Sequence, residues 1–109
     1  MKLYISGPIT GRAYNEAFSE FEKAEEALRD LGFTTVNPMT ANGLDGDGKY
    51  YAWAEYMKRD IALLLECDGL YMLPRWKKSR GACLELHIAK SLEMPIVYAD
   101  PDGILDKNK

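Results

Sequence analysis

Asp60 and Glu85 are the side chains of this sequence whose type and setting best suit covalent chemistry. Glu85 follows Ser79-Arg80-Gly81-Ala82-Cys83-Leu84, a glycine-containing turn that opens a helix and puts one carboxylate on its second turn. Directly before it, Gly69-Leu70-Tyr71-Met72-Leu73 is an apolar run of buried-strand length. Strand, turn and helix in that order set Ser79, the first helical amides and Glu85 at the carboxyl edge of a sheet. In an open α/β sheet that edge is where ligands bind. Asp60, on the helix before, can face the same space. A glycosidic-type bond is broken when one carboxylate attacks the sugar carbon while a second carboxyl group handles the leaving-group proton. On pattern alone the commoner alternative stays open: both are solvated carboxylates on helix surfaces.

Other residues could serve such a pair. Gly7-Pro8-Ile9-Thr10-Gly11-Arg12 follows the first strand, and its backbone amides can face an anion. It is neither GxGxxG nor a Walker motif, and glycine is also common in such turns for geometry alone. Trp76, in Leu73-Pro74-Arg75-Trp76-Lys77-Lys78, either stacks on a base or packs against a neighbouring subunit. The basic cluster around it reads as a solvated loop able to lend positive potential to a phosphate. Asp68 reads as a turn residue before a strand. His87, two positions past Glu85, should project from another side of the helix. Asp45-Gly46-Asp47-Gly48 lacks the ligand spacing and final glutamate of a calcium loop.

The elements that must carry these residues follow from periodicity and breakers. Lys2 to Ser6 is a strand stopped by Gly7-Pro8. A helix capped at Asn15 runs to Gly32, with Ala17, Phe21, Ala24, Leu28 and Leu31 as its buried face. Phe33 to Val36 is a second strand, ended by Asn37-Pro38. Residues 39 to 49 form a glycine-rich loop. A helix from Tyr50 to Glu66 buries Trp53, Met57, Ile61, Leu64 and Leu65. After the third strand, a helix from about Gly81 to Leu92 buries Leu84, Ile88 and Leu92, and Ile96 to Tyr98 is the fourth strand. The polar tail holds only Ile104-Leu105 for packing. The expected fold is α/β: a flavodoxin- or Rossmann-like three-layer sandwich on a parallel sheet of four or five strands, ordered roughly 2-1-3-4.

Bulk properties narrow the classes. The 109 residues, 47% of them hydrophobic, are expected to form one domain over 1–109. A net charge of −3 argues against a nucleic-acid binder, which carries a basic face. Cys67 and Cys83 read as reduced core thiols, which favours the cytoplasm. No apolar run has the length of a membrane span, and the first one is too short for a secretion signal. One histidine and no Cys/His cluster point away from a zinc site.

Tyr4-Ile5-Ser6-Gly7, Arg59-Asp60-Ile61 with Cys67-Asp68-Gly69, and Ser79 to Glu85 together resemble the nucleoside 2-deoxyribosyltransferase superfamily. Their order and spacing are similar to those of its 2′-deoxynucleoside 5′-phosphate N-hydrolase branch. Over about residues 2 to 98, with Val36-Asn37-Pro38 and Leu73-Pro74-Arg75-Trp76, the chain resembles short bacterial and phage proteins grouped there. The resemblance implies that Glu85 attacks C1′ of the sugar and forms a glycosyl-enzyme intermediate. It implies that Asp60 contacts base or sugar and assists base departure, and that Tyr4 stands near the sugar and the nucleophile. Ser79 and Gly81 match residues that hold a 5′-phosphate; transferases for unphosphorylated nucleosides have an acid at the serine position. The hydrolase branch has an arginine where this chain has Thr10, so Arg12 or Arg80 would supply the cation, beside the amides of Gly7, Ile9 and Gly11. His87 also stands close behind Glu85 where a small residue is usual.

The expectation is therefore an enzyme that cleaves the N-glycosidic bond of a nucleoside 5′-monophosphate without metal or organic cofactor. Its partners would be a small-molecule nucleotide and further copies of itself, as a homodimer or larger assembly. A second class stays open: a non-catalytic nucleotide-binding or sensing module with Glu85 as a ribose contact. A flavodoxin-like redox domain lacks an evident flavin-phosphate loop.

Overall fold

The computed structural model describes residues 1–41 and 53–99 and the short strand Leu105–Asp106. Of the loop expected over 39 to 49, the first three residues belong instead to a helical turn, Pro38–Ala41; the rest, with its Asp-Gly pairs, and the expected helix start at Tyr50 lie outside the described residues. Strands β1 (Lys2–Ser6), β2 (Thr34–Val36), β3 (Gly69–Met72) and β4 (Ile96–Ala99) pair in parallel in the order β2-β1-β3-β4. A fifth strand, β5 (Leu105–Asp106), adds to β4 in the antiparallel sense. The order is as expected; the edge strand reverses direction.

Among the described residues there are four helices, α1 (Tyr14–Asp30), the single turn α2 (Pro38–Ala41), α3 (Trp53–Leu65) and α4 (Arg80–Ser91), and a 3-10 turn at Trp76–Lys78. Crossovers between parallel strands are right-handed. The step from β1 to β2 runs one way across the sheet; the steps from β2 to β3 and from β3 to β4 run the other way. One hand for all three sends α1 to one face and α3 with α4 to the opposite face. The packing agrees. Leu3 and Ile5 of β1 join Ala17, Phe21, Ala24 and Leu28 of α1 in one cluster. Tyr4 of β1 joins Leu64 of α3 and Ala82, Leu86 and Ala89 of α4 in the other. The chain reverses its direction of travel between β1 and β3, so the ligand crevice of an open sheet belongs above those two strands.

The ends of the helices depart from expectation in instructive ways. α1 starts at Tyr14, so the cap position is Ala13, two residues before the expected Asn15, and its side chain makes no cap bond. It ends in a paired C-terminal motif: Phe33 N–H donates to Leu28 C=O and Gly32 N–H to Arg29 C=O, with Gly32 at φ +94°. That turn carries Leu31 out of the stripe, and it is 63% exposed.

On α3 the buried residues are Met57, Asp60 and Leu64, and Leu65 faces solvent. On α4 they are Ala82, Glu85, Leu86 and Ala89, so the expected stripe of Leu84, Ile88 and Leu92 lies beside the true one. In both helices an acid occupies a core position, and the small Ala82 and Ala89 let α4 approach the sheet. The cysteines are not core residues: Cys67 is half-buried, Cys83 exposed, and neither is bridged. No helix among the described residues is long and apolar enough to cross a membrane.

Candidate active site

The alternation of a strand aims Tyr4 and Ser6 to the same side of β1, toward α3 and α4. The Tyr4 hydroxyl donates to Glu85 Oε2 at 2.5 Å, and the Ser6 hydroxyl donates to Glu85 Oε1 at 2.6 Å. Both lengths fall within the range of hydroxyl bonds to an ionised carboxylate. All three groups are buried, with Glu85 4% exposed. α4 supplies Glu85 from a well-anchored start. Ser79 caps it by accepting the Ala82 N–H at 3.1 Å, and its carbonyl takes the Cys83 N–H as the first intrahelical bond. α3 lays Asp60, 8% exposed, along the same wall.

Burial is the largest influence on Glu85 and pushes its carboxyl up to about 8. The hydrogen bonds from Ser6 and Tyr4 pull in the opposite direction, and the Asp60 charge adds to the rise. Tyr4 is held well above the ordinary tyrosine value, first by burial, then by the charges of Glu85 and Asp60. Each of the two therefore feels Asp60, which places the carboxylates of two successive helices in one electrostatic unit. A carboxyl held in this way gives up its proton less readily than a solvated one and is poorly solvated once ionised.

The other sequence-derived residues surround this cluster unequally. The amides of Arg80 and Gly81 precede the first intrahelical bond of α4 and so have no partner within the helix. A Cβ at Gly81 would lie 3.1 Å from Met57 Sδ and 3.9 Å from Trp53 Nε1, so glycine lets the first turns of α3 and α4 close on each other. The Arg80 guanidinium stacks on the Trp53 ring at 3.7 Å.

At the mouth of β1, a side chain at Gly7 would meet Leu73 at 2.8 Å, Ile9 packs on the α1 cluster, and Gly11 turns the loop with φ +81°. Arg12 is already engaged: it donates to Pro8 C=O at 3.0 Å and pairs with Glu20 at 2.6 Å, and Glu20 also meets Arg75 at 3.4 Å. Trp76, half-buried, leans on Tyr98, ring centres 5.8 Å apart. Asp68 ties down the start of β1 by accepting the Lys2 N–H at 2.8 Å, and His87 is exposed. An open depression of about 590 Å³ along α1, lined by Arg12, Asn15, Glu16, Ser19, Glu20 and Lys23, includes none of the clustered residues. Among the described residues no three His, Cys, Asp or Glu side chains stand together as a metal site would require.

Ser6 is the member of the cluster that sequence reasoning did not single out. Its signal was present: a residue two positions from Tyr4 on a strand must share its face.

The comparisons with known proteins bear on the same frame. A family model described as a domain of unknown function, DUF4406, matches residues 1–98. No functionally curated protein matches the sequence. Among solved structures, the fold is similar to a 2-deoxyribosyltransferase from the psychrotolerant bacterium Bacillus psychrosaccharolyticus. The TM-score is 0.70 at 23% identity, over 93% of this chain and 73% of that one. That protein is described as a biocatalyst for the synthesis of nucleosides. The chain belongs to the DUF4406 family, a family of the nucleoside 2-deoxyribosyltransferase superfamily.

Proposed function

We propose that this protein is an enzyme that cleaves the N-glycosidic bond of a (deoxy)nucleoside 5′-monophosphate, with Glu85 as the nucleophile. The observation that carries the reading is the buried Glu85 carboxyl, held by two hydroxyl donors and subject to the charge of a second buried acid, Asp60. In the first step a Glu85 oxygen bonds to C1′ as the bond to the base nitrogen breaks, and Asp60 assists departure of the base. In the second step water or a second base takes the sugar from Glu85 and restores the carboxylate. Tyr4 aligns Glu85 beside the sugar. The hydroxyl of Ser79, the amides of Arg80 and Gly81 and those of Gly7, Ile9 and Gly11 offer an anion seat at a helix N-terminus. A serine rather than an acid at that seat is what favours a monophosphate over a free nucleoside. Arg12 adds positive potential, shared with Glu20, and Trp76 borders the entrance. The reading includes a cytoplasmic homo-oligomer, and two unbridged cysteines accord with a reducing compartment.

The near-complete burial of Glu85 favours one other reading, a nucleotide-binding module in which the Tyr4–Ser6–Glu85 cluster only braces the wall. One experiment separates the two. The protein is incubated with deoxynucleosides and their 5′-monophosphates, and free base is followed by chromatography. Release from a monophosphate by the wild type and not by Glu85→Gln supports the enzyme. Binding without release, unaffected by that substitution, supports the module and overturns the proposal.

A further inference from the structure

Ser6 is the last residue of β1, a central strand of the parallel sheet, and only 1% of its surface is exposed. A buried hydroxyl there costs free energy unless it is hydrogen-bonded, and it donates to one oxygen of Glu85. The terminal torsion of a glutamate is broad and roughly two-fold, so a single donor leaves the carboxyl plane poorly determined. Here Tyr4 takes Oε2 and Ser6 takes Oε1, and the plane is pinned at both ends.

We propose that Ser6 is a positioning residue for Glu85: its hydroxyl holds the oxygen that Tyr4 does not and fixes the carboxylate for attack on C1′. The inference rests on the reading of Glu85 as the nucleophile. It adds a consequence for each half of the reaction. Before attack, two donors favour the ionised, attacking form against the burial and the Asp60 charge that oppose it. After attack, one oxygen is bonded to C1′ and the other is the ester carbonyl. Whichever oxygen attacks, the carbonyl already has a protein hydroxyl donating to it. That bond strengthens as the C1′–O bond breaks and the electron pair returns to the carboxylate. Glu85 is faced by Tyr4 and Ser6 from β1 and by Asp60 from α3, and Cys67 stands near Tyr4. Of these, Ser6 is the donor whose removal takes away neither a charge nor a ring.

The test follows the Glu85 carboxyl directly, by carbon-13 NMR titration of the folded protein in the wild type and in Ser6→Ala, with Ser6→Cys as a near-isosteric weak donor. Ser6→Ala is expected to move the titration midpoint upward by about one pH unit, and Ser6→Cys by less. With substrate, kcat is expected to fall about 10- to 100-fold in Ser6→Ala with KM nearly unchanged, and the ascending limb of kcat/KM to move with the NMR midpoint. An unchanged midpoint in both variants overturns the proposal. The titration needs no turnover, so the two readings fail separately. A shifted midpoint with full base release by Glu85→Gln refutes the nucleophile and leaves the Ser6 contact standing. An unshifted midpoint with an inactive Glu85→Gln refutes Ser6 alone.

Discussion

One strand serves two unlike interiors. From β1, Leu3 and Ile5 enter a cluster with Phe21 and Leu28 of α1, where every residue is there to exclude water. The residues between and beyond them, Tyr4 and Ser6, enter the α3–α4 side, where Asp60 and Glu85 stand among Leu64, Leu70, Met72 and Leu86. The apolar shell on that second side has two effects at once. It supplies packing, and it denies water to two carboxylates, which raises the Glu85 carboxyl to about 8. The α1 side stabilises the fold; the α3–α4 side gives up stability to hold charge in a dry place.

That contrast can be broken from either side. The largest effect is expected from Glu85→Gln, which should lower base release by at least about 10³-fold while leaving the fold intact by circular dichroism. On the other face, Phe21→Ala should cost about 3–5 kcal/mol in chemical denaturation and leave the Glu85 midpoint of the folded fraction where it was. A pH series sharpens the comparison. The folded-state value of Glu85 lies above its ordinary value of 4.5, so the native state binds a proton more tightly than the unfolded chain. This contribution is fully present below about pH 4.5, is lost as pH rises toward 8, and amounts to several kcal/mol at about 1.4 kcal/mol per pH unit. Denaturation curves across that window should show the decline in the wild type and a flatter profile in Glu85→Gln. The smallest effect is expected from Asp60→Asn. Removing a like charge should move the Glu85 midpoint downward, opposite in sign to Ser6→Ala, by a fraction of a pH unit in the same NMR titration.

The sequence was most legible where the chain follows one rule at a time. β1 has the expected bounds because Gly7-Pro8 stops it, and α1 closes just before Gly32, whose left-handed backbone completes the terminal turn. The strand order expected from short strand–helix–strand connections holds for the four parallel strands. The buried stripes of α3 and α4 were misread for one shared reason. Asp60 and Glu85 occupy core positions, and counting acids as polar shifts the apparent stripe onto Leu65 and Leu92, which are exposed. Periodicity thus fails at the two buried acids themselves. Asn15 was misread as a cap because cap residues also occur inside helices, and Ala13 holds the position without a side-chain bond. The pairing of Arg12 with Glu20 was not legible, since nothing in the spacing says which carboxylate a loop arginine meets. Ser6 was legible by alternation alone, once Tyr4 was placed.

The central claim is a covalent one, and mass spectrometry tests it most directly. The protein is quenched in acid during turnover of a deoxynucleoside 5′-monophosphate, digested and mapped. The account predicts a deoxyribosyl phosphate adduct on the peptide that carries Glu85, absent in Glu85→Gln. Base release with no adduct at Glu85, or an adduct on another residue, would contradict it.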